Sequence, residues 1–556
     1  MKALLIAPDN RNLDDNYKRA EHRDTPLGLY LLLSFLRKHN TKVDFIDGLT
    51  FRLDNKTIVQ QAISKRPDWI GISAIAHKFY PIIKDLIIRL RSKTNAHITI
   101  GGPLATFAAE RLLKELSINS VIRGEGEFVL LEFLRRLNKN ESLDGLRGLC
   151  IKTDGVLKIN PFAQRIQNLD RLPFPAIDYF PAVLSEILTG TRAYIIMGSR
   201  GCVGTCDFCQ VPYYYGNPGF IRRSPENVVK ELSEVVRIWG VRRVNFQDSN
   251  FLANKAWVKH FYHNIKEQKI SGIKFSIFAN PESISFDIIH LLQEVGLERV
   301  YVGLETGSER RLKLIGKRST LADNERAVKV SQEVGIKIIP GYMFFYPDST
   351  IDEIEESYQW FRKMSLRKPT AWFNKMDLFF GTPNYLRMKN DGKDVSDNIA
   401  HGLTYKFEDK NVENLFDVMQ KTLSTLKPIW RKIAERQNTF RTLLEKEAAA
   451  ICNEYQVDLA NPPCPELIQR VTKLTNYLRN HDFEWGREKH VLVVLNDCIE
   501  SLFSVSLEKI KAGANYKKVI FEIEPILNKK VEMIIQKIVR GNPEAIIKKI
   551  LANLKK

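Results

Sequence analysis

Long hydrophobic runs are missing from this chain of 556 residues. None approaches the ~20 apolar residues that a membrane-spanning helix requires, which argues against an integral membrane protein. Cysteine is scarce: there are 7, an odd number, with three of them crowded into one short stretch. That usage does not fit a secreted disulfide framework. The opening MKALLIAPDN lacks the extended apolar region and small-residue cleavage site of a signal peptide, so a cytoplasmic, reduced setting is expected. There is no internal repeat and no low-complexity tract. What is present is ordinary globular composition, 44% hydrophobic and 27% charged, enough for several separate cores. Basic residues outnumber acidic ones 84 to 65, and the stretch from Ser501 to Lys556 alone holds 12 basic and 5 acidic residues. A solvated helix face is the favoured reading of that stretch, with nucleic acid, anionic lipid or an acidic partner as alternatives.

Two series of alternating short apolar runs and longer periodic segments follow one another, the pattern of parallel strands joined by crossover helices. The first places strands at Lys2–Ala7, Lys42–Asp47, Trp69–Ala74, His97–Gly102 and Ser120–Arg123. These five units predict an open doubly wound sheet over residues 1–145, with its ligand edge at the carboxyl ends of the strands. Proline-punctuated sequence, including Arg171–Ala176 and Pro181, reads as a linker over 146–190. The second series predicts strands at Arg192–Met197, Arg243–Gln247, Lys274–Ala279, Arg299–Gly303, Lys337–Phe344 and Trp372–Leu378. Six βα units fit a closed or partly closed barrel over 191–390, with its chemistry at the strands' carboxyl ends. Residues 391–556 read as helical, with patterns such as VEMIIQKIVR and EAIIKKILANLKK. The fold class is therefore α/β with an appended helical domain.

The strongest chemical signal is RGCVGTCDFC, which sets Cys202, Cys206 and Cys209 at CxxxCxxC spacing just after the first barrel strand. Three thiolates on one loop can hold three irons of a cubane cluster and leave the fourth open to a small-molecule chelator. A structural zinc site wants four ligands, and this loop carries no fourth Cys or His. Zinc, a disulfide or unrelated buried cysteines are the alternatives. Cys150, Cys452, Cys464 and Cys498 lack cluster spacing and read as buried apolar residues.

With Phe208 before its last cysteine, this loop resembles that of the radical S-adenosylmethionine (SAM) superfamily. The resemblance implies that the three cysteines carry a 4Fe–4S cluster and that SAM chelates the open iron. It continues along the barrel in NFQDSNF with Asp248, VGLETGS with Glu305, and VGIKIIPGYMFFYPD with Ile339 and Gly341. Phe208, Asp248, Glu305, Ile339 and Gly341 are thereby implied as SAM contacts. Helix capping is the competing role for the two carboxylates.

The amino-terminal domain resembles the cobalamin-binding domain of the cobalamin-dependent radical SAM class, through GIS at Gly71–Ser73, GGPLAT at Gly101–Thr106 and RGEGE at Arg123–Glu127. Cobalamin contacts are implied for Gly71, Ser73, Gly101, Gly102, Thr106, Gly124, Glu125 and Gly126. There is no DxHxxG motif, Leu104 stands where relatives often carry His, and His77 is the nearest alternative lower ligand. The resemblance covers about residues 1–385. It implies a C-methyltransferase that cleaves SAM reductively and methylates an unactivated carbon through methylcobalamin. A cyclase or rearrangement enzyme on the same cofactors is the close alternative, and an RNA-modifying or nucleic-acid-binding protein the alternative from another class. A small-molecule or peptide substrate and an electron donor of the flavodoxin or ferredoxin type are the expected partners. Tyr213, Tyr214 and Tyr215 are read as packing in preference to a substrate wall, and Arg222 and Arg223 either meet an anion or form salt bridges.

Overall fold

The computed structural model describes residues 1–9, 25–153, 155–215, 219–366, 371–393, 395–396, 403–480, 484–525 and 529. The first sheet contains β1 (Ala3–Ala7), β2 (Val43–Asp47), β3 (Trp69–Ser73), β4 (His97–Gly101), β5 (Ser120–Ile122), β6 (Leu149–Thr153) and β7 (Val156–Ile159), in the order β2-β1-β3-β4-β5-β6-β7. The ladder is parallel as far as β5, and the last two strands join antiparallel. β6 and β7 therefore extend this sheet into the segment read as linker. Every residue of β1 is buried, as the continuous apolar run ALLIA requires between two helical layers. The chain leaves β1 toward β2 on one side and toward β3 on the other, so a crevice opens at the carboxyl ends of β1 and β3.

The second sheet begins with β8 (Tyr194–Ile196), which runs directly into a hairpin of β9 (Ser199–Cys202) and β10 (Gly219–Arg222). β11 (Arg243–Phe246), β12 (Lys274–Ala279), β13 (Leu297–Glu305) and β14 (Lys337–Tyr342) then add in sequence beside β8, all parallel. Local chemistry punctuates the helices between them. Ser224 caps Pro225–Trp239, Thr320 and Asp323 form a capping box, and Gly240 and Gly335 close helices in the left-handed region.

The expected sixth strand at Trp372–Leu378 does not form. Ala371–Phe373 makes one 3-10 turn, and only Lys375 bridges in parallel to Phe345. The cause is Trp372, whose indole is fully buried among Phe344, Tyr358, Phe361 and Phe503 and draws the segment off the ladder. The open side is covered by the helical domain, with helices at Lys410–Cys452, Pro465–Asn480 and Glu484–Lys511. The first has 43 residues and so runs roughly 64 Å. It packs on the Leu184–Thr189 helix before β8 and on the Ala371–Phe373 turn after β14, so it reaches both rims of the split barrel. The patterns VEMIIQKIVR and EAIIKKILANLKK lie outside the described residues. Cys464 is exposed, against the buried role expected for it, because it precedes the Pro465–Asn480 helix; Cys150 and Cys452 are buried. The Cys498 side chain lies outside the described residues.

His97, at the start of β4, shares a hydrogen bond of 2.9 Å with Ser120 and packs against Phe133. Burial, assisted by Arg91, pushes its pKa down to about 4. An unfolded histidine takes its proton near pH 6.5, whereas this one stays neutral until about pH 4. Its contribution is therefore lost as the pH falls through that window, by up to about 3 kcal/mol. Urea unfolding at the two ends of the window should show this loss, and His97→Gln should reduce it.

Candidate functional site

The carboxyl ends of the two sheets face each other. Ile315, Tyr346, Met376, Leu378 and Phe380 of the barrel share one buried cluster with Ile72, Ala74, Ile100 and Leu104 of the first domain. The β9–β10 hairpin lies in this seam and carries the cysteine loop between its strands, with Cys202 paired to Gly219. Gly201 has φ +87°, and a Cβ there would stand 1.9 Å from the Gly219 carbonyl oxygen, so only glycine closes the hairpin.

Cys202, Cys206 and Cys209 are half-buried on this loop. A Cβ built on Gly204 would stand 3.6 Å from the Cys202 sulfur and 3.9 Å from that of Cys206, so both thiols turn toward the loop's interior. Cys209 donates its backbone N–H to the Cys206 carbonyl at 3.2 Å, which tightens the turn. Burial pushes the Cys206 thiol up to about 12 and the Cys209 thiol up to about 11, so both carry protons that a bound iron centre would expel. Among the described residues no three His, Cys, Asp or Glu side chains converge on one point that could hold a single metal ion. Three soft thiolates on one loop match a cubane, which places each on a different iron, whereas a structural zinc site wants a fourth ligand. Phe208 packs partly buried against the shared apolar cluster.

Lys317 sits beside the loop, and the sequence reading did not find it. Its ammonium donates to Glu305 Oε1 at 3.0 Å, with both side chains largely buried. Burial works against the Lys317 charge, but Glu305 and Cys206 outweigh it and raise its pKa. Glu305 closes β13 at φ +62°. Gly303 precedes it beside Gly341 of β14, and a Cβ on Gly303 would meet the Glu305 carboxylate at 2.4 Å and the Lys317 ammonium at 2.8 Å. Ile339, two residues before Gly341, is half-buried on the same strand. Asp248 is placed differently: it is fully buried and accepts from Ser199 Oγ at 2.5 Å and from the Gly198 N–H at 3.1 Å, and so supports the start of the hairpin. Burial raises its pKa, partly countered by the Ser199 hydrogen bond. Arg222 lies against the Phe220 and Trp257 rings and donates to the carbonyls of Asn250 and Phe251, while Arg223 is bound to Glu231.

At the first domain's rim, Ser73 and Gly101 end their strands, and Gly101 has open space where a side chain would be. Gly102 has φ +103°, and a Cβ there would stand 2.7 Å from the Ala74 carbonyl oxygen. Ile75, just after β3, is 41% exposed. A ledge of small and apolar groups at the switch point suits a large flat macrocycle. Gly71 lies farther back, in mid-strand under the Trp69 ring. Thr106 is buried, donates to the Gly102 carbonyl and accepts from the Gly124 N–H. His77 packs edge-on against Phe379.

The RGEGE turn reaches across the seam. Arg200 of β9 donates to Glu125 at 2.8 Å and to Glu127, while Glu125 also accepts from the Ile166 N–H at 2.7 Å. Burial opposes the Glu127 charge, but Arg200 outweighs it and holds the carboxyl below its usual range. Tyr214 donates to the Gly124 carbonyl at 3.1 Å, and Arg165 lies 4.6 Å over the Tyr215 ring. These tyrosines therefore pack the two domains together. Gly126 precedes the Glu127–Asn138 helix next to Leu32.

The chain matches the radical SAM superfamily over residues 196–361 and the B12 binding domain over residues 19–134. It is 30% identical over 369 residues to an uncharacterized methyltransferase of Pyrococcus horikoshii, covering 66% of this chain and 79% of that protein. It is 29% identical over 349 residues to the anaerobic magnesium-protoporphyrin IX monomethyl ester cyclase of a Synechocystis species, covering 60% of this chain and 67% of the cyclase. Among solved structures, the fold matches the cobalamin-dependent S-adenosylmethionine radical enzyme OxsB with aqua-cobalamin and S-adenosylmethionine bound. The TM-score is 0.69 at 18% identity, over 99% of this chain and 83% of that one.

Proposed function

Since the chain belongs to the cobalamin-dependent radical SAM enzymes and works with a 4Fe–4S cluster, SAM and cobalamin, we propose that it methylates an unactivated carbon of a small-molecule or peptide substrate. The observation that carries this reading is the seam itself, where the first domain's RGEGE turn and apolar cluster meet the hairpin that bears Cys202, Cys206 and Cys209. When bound, the cofactors supply a one-electron cleavage of SAM and a transferable methyl group.

The protein positions and seals. Cys202, Cys206 and Cys209 would each hold one iron of the cluster. Glu305, with Lys317 behind it, would orient the amino and ribose end of SAM, and Ile339, Gly341 and Phe208 would serve its adenine. Asp248 acts through the hairpin it braces. Ser73, Gly101 and Gly102 form the corrin ledge, with Gly71, Thr106, Gly124, Glu125 and Gly126 shaping the backbone behind it. The apolar seam keeps water and stray hydrogen donors from the reacting carbon. Electrons arrive from a flavodoxin or ferredoxin type donor in the cytoplasm.

Anaerobic incubation with reductant, SAM, cobalamin and a candidate acceptor tests the proposal. Methyl transfer adds one CH2 to the acceptor and yields both 5′-deoxyadenosine and S-adenosylhomocysteine. A product of altered connectivity without added CH2 would instead assign cyclisation, the reading favoured by the likeness to the cyclase. Lys317→Met should weaken SAM binding on the order of tenfold or more, because it strands a buried carboxylate. Isothermal titration on protein of unchanged iron content checks this.

A further inference from the structure

The inner face of the barrel sheet can be followed row by row through its registers. Tyr301 stands between Phe278 of β12 and Ile339 of β14. Asn245 pairs with Ser276 on one side and Ile195 on the other, so two residues later Gln247 and Met197 continue the Phe278 row. In the row toward the cysteine loop β13 and β14 present only Gly303 and Gly341, so those two strands place no side chain between this row and the loop. Residues of opposite parity, such as Phe246, Ile277, Val300 and Val302, are buried in the core between sheet and helices.

Strands of a parallel sheet are normally covered on both faces. Phe278, on the third of five strands, departs from this at 36% exposed. Its neighbour Gln247 is exposed as well. The exposed rings of Phe51, Phe128 and Phe286 differ, because each sits on a helix and not in a sheet, and scattered exposed apolar side chains there are ordinary. Phe278 lies nearly parallel to Tyr301, with centroids 4.7 Å apart and an interplanar angle of 20°, so its plane is held before anything binds.

We propose that the Gln247–Phe278–Tyr301 row is the substrate shelf and takes a planar heteroaromatic ring, stacked on Phe278 with its polar edge on the Gln247 amide. A fixed aromatic face selects a flat π-system. An amide presents both a donor and an acceptor and so recognises a ring edge bearing N–H, ring nitrogen or carbonyl groups. Arg299, one row deeper on this face, is held by Glu298 at 3.3 Å, and Lys317, on the loop side, by Glu305 at 3.0 Å, so both cations near the shelf carry a counter-charge and a neutral ring suits it. The assignment rests on the reading that SAM occupies the Glu305 end of the barrel. The adenine of SAM shares the recognised chemistry, and the test separates the two sources.

Indole and adenine serve as probes in ligand-observed NMR titrations of cluster- and cobalamin-loaded protein, with cyclohexanol as the non-planar control. SAM affinity is measured in parallel. At least one flat probe should bind the parent protein and cyclohexanol should not. Phe278→Ala should weaken the flat probe on the order of tenfold or more while SAM affinity changes less than twofold. Phe278→Tyr should retain binding, which separates loss of the ring from loss of the fold, and Gln247→Leu should weaken probes with polar edges. The shelf is overturned if neither probe binds, if cyclohexanol binds equally well, or if Phe278→Ala leaves the flat probe untouched. A matched loss of SAM affinity overturns it too, because the ring would then be SAM's own adenine. Failure of methyl transfer with intact Phe278-dependent probe binding would refute the reaction and leave the shelf standing.

Discussion

Replacing Cys206 with alanine is expected to leave a folded protein that retains cobalamin binding but releases 5′-deoxyadenosine only at background level. The loop turns the Cys202 and Cys206 sulfurs toward the same interior, and Cys209 is tied to the Cys206 carbonyl by a backbone hydrogen bond. On the proposed assignment each thiolate would hold one iron, so the variant would have only two of the three protein anchors for the cluster. The substitution removes one small, half-buried side chain from a turn, and the hairpin beneath does not depend on it: Gly201 and the Asp248 hydrogen bonds remain. Iron and sulfide analysis after anaerobic reconstitution, together with product quantification, checks the expectation. Undiminished 5′-deoxyadenosine would refute the ligand role of Cys206.

Arg200→Met carries the second large effect. Arg200 comes from the hairpin that holds the cysteine loop, while Glu125 and Glu127 come from the first domain, and all three are almost fully buried. Losing one partner of a buried ion pair leaves charge without compensation, a destabilisation of about 3–5 kcal/mol. The midpoint of urea unfolding should fall accordingly. The double variant Arg200→Met with Glu127→Gln should recover part of the loss, because it removes the stranded charge as well as the cation. A purely additive double variant would show that the pair does not act as a unit.

The sequence was most informative where one periodicity operated alone. β1 is an uninterrupted apolar run and β3, β4, β12 and β14 are short, mostly apolar runs, and their parallel pairing follows from the helices between them. The cysteine loop was legible because its ligands are close in sequence. Other features depended on long-range partners. Lys317 lies 12 residues beyond Glu305, in a stretch (GKRST) that carries no local sign of a partner. The RGEGE turn looks like loop punctuation until Arg200, 75 residues from Glu125, supplies its counter-charge. The Trp372–Leu378 run has the apolar content of a strand, yet its tryptophan is claimed by Phe503, far along the chain in the helical domain. The antiparallel β6 and β7 were hidden because β7 is largely exposed and carries no buried run.

The rod Lys410–Cys452, touching both rims of the incomplete cylinder, acts as a brace where missing staves would stand. Closure on that side therefore depends on side-chain packing along a single helix, whose Val412, Leu415, Val418 and Met419 are fully buried in the barrel's core, and not on a ladder of peptide hydrogen bonds.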